Sequence, residues 1–171
     1  MLRREGVDPL LVDRADAVGA SWRGHYDRLH LHTIRSMSGL PGLAIPRSYG
    51  RFVAREDVVQ YLERYAQQHR LRVALGTDVR RIDRTPGGYR LDTPAAGLDA
   101  SRVVVATGHN TVPVLPAWPG RDGFRGEIVH AARYRNPRPY AGKTVLVVGA
   151  GNSGAEIAVD LTEGGAREVL L

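Results

Sequence analysis

Three glycines late in the chain carry the sharpest chemical signal in this sequence. Gly149-x-Gly151-x-x-Gly154 follows an apolar, β-branched run, Val145 to Val148, that reads as a buried parallel strand. The residues after it, Asn152 to Glu163, have helical composition, with Gly164 and Gly165 as the stop. Strand, glycine turn and helix in that order make a dinucleotide-binding turn. Gly149 permits the tight turn, Gly151 lets the backbone approach a pyrophosphate, and Gly154 lets the helix pack close to the strand. The helix N-terminus then offers N–H groups and the positive end of its dipole to the phosphates. Ala166 to Leu171 reads as the start of the next strand, and the residue that separates NAD from NADP is expected beyond Leu171.

A second candidate is Asp13, which ends a short predicted strand, Asp8 to Asp13. A carboxylate at a strand end binds ribose hydroxyls in a dinucleotide fold; by local sequence alone it is equally a solvated strand end. Gly19 to Thr33 is polar and aromatic with poor periodicity and reads as a loop. Its Trp22 suits either stacking on a flat ring or anchoring a core. His30 and His32 alternate with Leu29 and Leu31 and read as a short strand with one polar face, not as metal ligands.

The remaining elements position these residues. Met1 to Gly6 reads as the last turn of a helix, and Met37 to Pro46 as Pro/Gly-rich connection. Glu56 to His69 is an amphipathic helix with Val58, Val59, Leu62, Tyr65 and Ala66 on one face. Leu71–Leu75, Asp78–Asp83 and Tyr89–Thr93 are short strands, the last two joined at Gly87-Gly88. Ser101 to Gly108 reads as a buried strand ending in Thr107-Gly108, and a proline-punctuated crossover runs from Thr111 to Gly120.

Composition narrows the functional classes. The 171 residues are 43% hydrophobic and 25% charged, which describes a globular chain rather than a disordered one. The net charge of +6 comes almost wholly from arginine, since Lys143 is the single lysine. Those arginines are scattered through predicted elements rather than gathered in a stripe, which argues against nucleic acid. No apolar run approaches the roughly 20 residues of a membrane span, and the N-terminal residues lack a signal-peptide core, so a cytoplasmic, non-membrane setting is expected. Absence of cysteine removes disulfides, thiolate metal sites and a dithiol redox pair from these residues, and the six histidines show no metal-binding spacing.

Together these pieces resemble the class B flavin-dependent monooxygenases, and within them the FMO-like and YUCCA-type branch. Phe124-x-Gly126-x-x-x-His130-x-x-x-Tyr134 matches their identifying motif, FxGxxxHxxxY/F, and stands just before the second glycine turn as it does in the family. Val103-Val-Val-Ala-Thr-Gly108 matches the ATG-containing segment, and Gly149 to Gly154 the GxGxSG fingerprint. Gly19-Ala-Ser-Trp22 resembles the GxxW region.

The resemblance implies an α/β, Rossmann-like flavoprotein with two dinucleotide-binding domains, incomplete at both ends. Residues 1–112 would be a partial FAD domain lacking its first strand and fingerprint, and 113–171 a linker and the start of the NAD(P)H domain. It implies FAD contacts from Asp13, Gly19, Ser21, Trp22, Val79, Thr107 and Gly108. The NADPH pyrophosphate would meet Gly149, Gly151, Asn152, Ser153 and Gly154, with His130 positioning that cofactor. No side chain is implied as a catalytic nucleophile or acid–base pair. The implied reaction uses NADPH, FAD and O₂ to oxygenate a small organic substrate through a C4a-(hydro)peroxyflavin, by N- or S-oxygenation, Baeyer–Villiger chemistry or oxidative decarboxylation. The 171 residues alone are expected to bind FAD poorly and not to turn over. A flavoprotein reductase of the same architecture and a non-catalytic remnant are the alternatives. Oligomeric state is not legible.

Overall fold

The computed structural model describes residues 2–108 and 112–171. Met1, and Thr111 at the head of the expected crossover, lie outside them. The chain divides into two compact units, Met1–Arg23 with Thr33–Gly108, and Gly24–His32 with the chain after Gly108.

In the first unit, β1 (Leu10–Val12) pairs in parallel with β2 (Arg72–Ala74), placing Asp13 just past the strand end as expected. A 3-10 turn, Leu2–Glu5, precedes β1, closed by Gly6. The 14-residue helix α3 (Arg55–Gln68) occupies the predicted helical segment within one residue at each end. Its Glu56 and Asp57 sit in the first turn, where the dipole favours them. Val58, Val59 and Tyr61 are its buried face, joined in the core by Val53 and Ile45. The aromatic residues of α3 also bond outward. Tyr61 Oη accepts from Leu40 N and donates to Leu43 O, both at 2.6 Å, and Tyr65 Oη donates to Pro41 O at 2.9 Å. The proline- and glycine-rich connection is thereby fixed to the helix. Two short helices, α1 (Ala20–Arg23) and α2 (Arg35–Ser38), precede α3 in sequence, and α1 packs on α3.

An antiparallel meander of β3 (Arg81–Thr85), β4 (Gly88–Asp92) and β5 (Leu98–Ala100) completes this unit. The hairpin falls where Gly87-Gly88 predicts it. β3 begins at Arg81 rather than Asp78, and β5 is an added strand that the sequence reading did not identify.

In the second unit, β6 (Thr144–Leu146), α4 (Asn152–Glu163) and β7 (Glu168–Leu170) form a βαβ unit with β6 and β7 parallel. Residues Thr144 to Leu146 face Glu168 to Leu170 in register. The helix bounds coincide with those expected, and Gly164 is its C-cap.

Three expectations fail. Ser101–Gly108 is not a strand, and Val104 and Val105 are 80% and 70% exposed. No ladder among the described residues includes it, and an extended run without a neighbour does not become sheet however β-branched it is. The Val145–Val148 run is paired but not buried, with Leu146 and Val148 well exposed, because β7 is its one ladder partner among the described residues. His30 and His32 do not form a strand. Leu29 is buried, while His32 lies in a bend and faces the start of α4.

Candidate functional site

The glycine turn has the geometry its spacing implies. Gly149 adopts φ +109°, a conformation that side chains disfavour. A Cβ on Gly154 would stand 1.8 Å from the Gly149 carbonyl oxygen, so the helix enters at a separation only glycine permits. Space beside Gly151 is open, with no atom within 4 Å of where a Cβ would be. The first intrahelical bond is donated by Ala155 N to Gly151 O at 3.0 Å. The N–H groups of Asn152, Ser153 and Gly154 therefore precede the helical ladder, as the first groups of any helix do.

Helix α4 presents an acidic face, Glu156, Asp160 and Glu163, to a tyrosine cluster. Tyr134, the last residue of the FxGxxxHxxxY motif, donates from Oη to Asp160 Oδ2 at 2.7 Å, a bond buried at both ends. Tyr26 donates to Glu156, and Arg28 pairs with Glu163 while lying 3.9 Å from Asp160 Oδ1. The rings reinforce this arrangement. Tyr26 meets Tyr134 edge-on at 6.1 Å, and Tyr140 stacks on Tyr134 at 5.7 Å.

The electrostatics follow from burial. Burial, then the hydrogen bond to Asp160, drives the Tyr134 phenol far above its ordinary pKa; burial and Glu156 do the same to Tyr26. Both stay donors through the whole neutral range. The Arg28 hydrogen bond holds the exposed Glu163 carboxyl below the usual carboxylate range.

His130 sits four residues before Tyr134, and its Nδ1 accepts from Ala132 N at 3.1 Å, closing the 3-10 turn Ala131–Arg133. The Phe124 ring lies against Gly126. The motif thus builds a turn that delivers Tyr134 to α4.

The other expected contact residues fall in the first unit. Asp13 Oδ1 accepts from Ala15 N at 2.9 Å, while Asp13 N donates to Ala74 O at 3.0 Å. Thr77 N donates to Asp13 O at 2.8 Å, which ties the segment leading to Val79 to the carboxylate turn. Asp13 and the Thr77 backbone are therefore brought together, two residues before Val79. Gly19 caps α1 from φ +76° and abuts Val59. Ser21 is exposed and Trp22 half-buried on α1, whereas Thr107 and Gly108 are exposed on the unpaired run.

Local sequence reasoning missed Tyr26, Arg28, His32 and the acidic face of α4. The pairs they form span 120 to 135 residues, and no local spacing announces them. The one available signal was the i, i+4, i+7 recurrence of Glu156, Asp160 and Glu163. Among the described residues there is no cluster suited to a metal, and no helix is long and apolar enough to cross a membrane.

Comparison with known proteins gives one family match, to the pyridine nucleotide-disulphide oxidoreductases over residues 2–171. The indole-3-pyruvate monooxygenase YUCCA1 of Oryza sativa subsp. japonica is 35% identical over 170 residues, covering 97% of this chain and 42% of that protein. An uncharacterized CzcO-like oxidoreductase of Geobacillus kaustophilus is 36% identical over 170 residues, covering 99% and 48%. Among solved structures, the flavin-containing monooxygenase of Stenotrophomonas maltophilia superposes with a TM-score of 0.90 at 31% identity, covering 98% of this chain and 51% of that one. The chain spans about half the length of the relatives it matches.

Proposed function

Because the chain belongs to the pyridine nucleotide-disulphide oxidoreductase family, we propose that it carries nucleotide-binding machinery of an FAD- and NADPH-dependent monooxygenase. That enzyme would act with O₂ on a small organic substrate in the cytoplasm. The observation that carries this reading is the glycine turn joined to the motif residue Tyr134. The Gly149–Gly154 turn opens α4, and the Tyr134 phenol fastens that same helix through Asp160. Similarity to a rice and a bacterial monooxygenase supports it. Lack of cysteine in these residues weighs against the disulfide-reducing branch of the family.

The residues present fit a pyridine nucleotide. Open space at Gly151 admits a pyrophosphate that a side chain would exclude, and the N–H groups of 152–154 are its donors. Asp13 fits the ribose of a flavin nucleotide, since a carboxylate has about four acceptor sites and Ala15 N takes one. Flavin and nicotinamide, when bound, supply hydride transfer and oxygen activation. The chain's part is to bind and orient. Asp13, with Gly19, Ser21, Trp22, Val79, Thr107 and Gly108, would hold FAD. Gly149, Gly151, Asn152, Ser153 and Gly154 would hold the NADPH pyrophosphate, and His130 would shape the segment that leads to Tyr134.

The test is NADPH oxidation by protein expressed from its complete reading frame, with and without O₂ and candidate amine, sulfide and keto-acid substrates. Oxygen consumption matched to oxygenated product is expected. NADPH oxidation that ignores O₂ and reduces disulfides instead would overturn the reading. The 171 residues alone are expected to bind FAD weakly and not to turn over.

A further inference from the structure

Two side chains from the Gly24–His32 segment reach the first turns of α4. His32 Nδ1 lies 3.0 Å from Asn152 Nδ2, and His32 Nε2 lies 3.4 Å from Glu156 Oε2. Tyr26 donates to that same Glu156 oxygen. The segment is itself fastened within its unit. Asp27 N donates to Arg135 O at 2.8 Å, Arg135 Nη1 donates to His25 O at 2.6 Å, and Asn136 Nδ2 donates to Asp27 Oδ2 at 3.1 Å.

Donor and acceptor roles in this network are mutually determined. The Asn152 amide nitrogen only donates, so His32 Nδ1 is the acceptor and the ring proton sits on Nε2, facing the Glu156 carboxylate. Glu156 accepts from Tyr26 and lies beside the His32 ring. Asn152, the first of the two residues between the second and third glycines, is thus held by its side chain. That matters because short polar side chains at a helix start readily bond nearby backbone N–H groups. An untethered Asn152 would compete for the groups that an anion needs.

We propose that His32 and Tyr26 are positioning residues of the dinucleotide turn. His32 draws the Asn152 side chain aside, and Tyr26 fixes the Glu156 carboxylate that faces the His32 ring, so that the backbone N–H groups of 152–154 are left for a pyrophosphate. The proposal rests on reading the Gly149–Gly154 turn as a nucleotide site, and neither residue would touch the reacting atoms.

The test uses protein from the complete reading frame, NADP⁺ as the probe, and two readouts. By calorimetry, His32→Phe is expected to weaken NADP⁺ about fivefold, the equivalent of one ordinary hydrogen bond. His32→Asn, whose Oδ1 takes the place of Nδ1, is expected to recover most of that loss. Tyr26→Phe should weaken binding by about the same factor. Adding Asn152→Ala to His32→Phe should cost less than the two changes apart, since both act through one contact. The second readout is amide hydrogen exchange without nucleotide. His32→Phe should speed exchange at 152–155 and leave α3 unchanged. Unaltered NADP⁺ affinity, or no rescue by His32→Asn, would overturn the proposal. If wild-type protein fails to bind NADP⁺, the nucleotide reading falls, and unaltered exchange at 152–155 would separately dispose of the latch.

Discussion

Val103-Val-Val-Ala-Thr-Gly108 and Val145-Leu-Val-Val-Gly149 are nearly the same sequence, an apolar β-branched run ending in glycine. One remains extended and exposed, with Val104 80% accessible. The other forms a strand, turns sharply and launches a helix. What differs is the following chain. After Gly149, α4 and β7 return to the strand, and Thr144–Leu146 finds Glu168–Leu170 in register. After Gly108, no described segment pairs with the run. Strand propensity proposes an element, and a partner decides whether it exists.

If that contrast is right, changes around the second run should be costly and changes in the first almost silent. The largest effect belongs to Leu161→Ala. Leu161 is 1% exposed on α4, and removing it should cost about 2–5 kcal/mol in urea unfolding. Gly154→Ala should come next, at about 1–3 kcal/mol, because the new methyl must push the Gly149 carbonyl away. It should also abolish measurable NADP⁺ binding, read by calorimetry. Tyr134→Phe leaves the Asp160 carboxylate buried without its donor, a loss of about 1–3 kcal/mol in the same unfolding assay.

A pH dependence sharpens the contrast. Tyr26 and Tyr134 hold their protons more tightly folded than unfolded, so their contribution is complete below the unfolded value of about 10 and is lost as pH rises above it. Unfolding midpoints should therefore fall from about pH 10 upward, and Tyr26→Phe with Tyr134→Phe should flatten that fall. The smallest effect is expected for Val104→Ser in the unpaired run, within about 0.5 kcal/mol. A large loss there would mean that the run is held by something beyond the contacts seen.

Legibility in the sequence tracks locality. The bounds of α4, the place of α3, the hairpin at Gly87-Gly88 and the carboxylate after β1 are all written within a few residues of themselves, as periodicity, caps and turn glycines. The turn residues Gly149, Gly151 and Gly154 were legible for the same reason. Burial of the Ser101–Gly108 and Val145–Val148 runs was not, because it depends on what lies beside them. Nor was the role of His32: alternation with Leu29 and Leu31 suggested a strand, while its actual neighbour lies 120 residues away.

The second unit is also discontinuous, since Tyr26, Arg28 and His32 enter it from far upstream. Local contacts suffice to wind α4 and pair β6 with β7. Closing the Tyr26–Glu156 and Arg28–Glu163 contacts requires loops of 130 and 135 residues. Such closure costs chain entropy that local structure does not repay, and contacts of high sequence separation slow folding. The βαβ unit should therefore gain its helix early and its finished turn late. A chain excised from residue 113 onward would keep the fingerprint yet lose the residues that complete its shape.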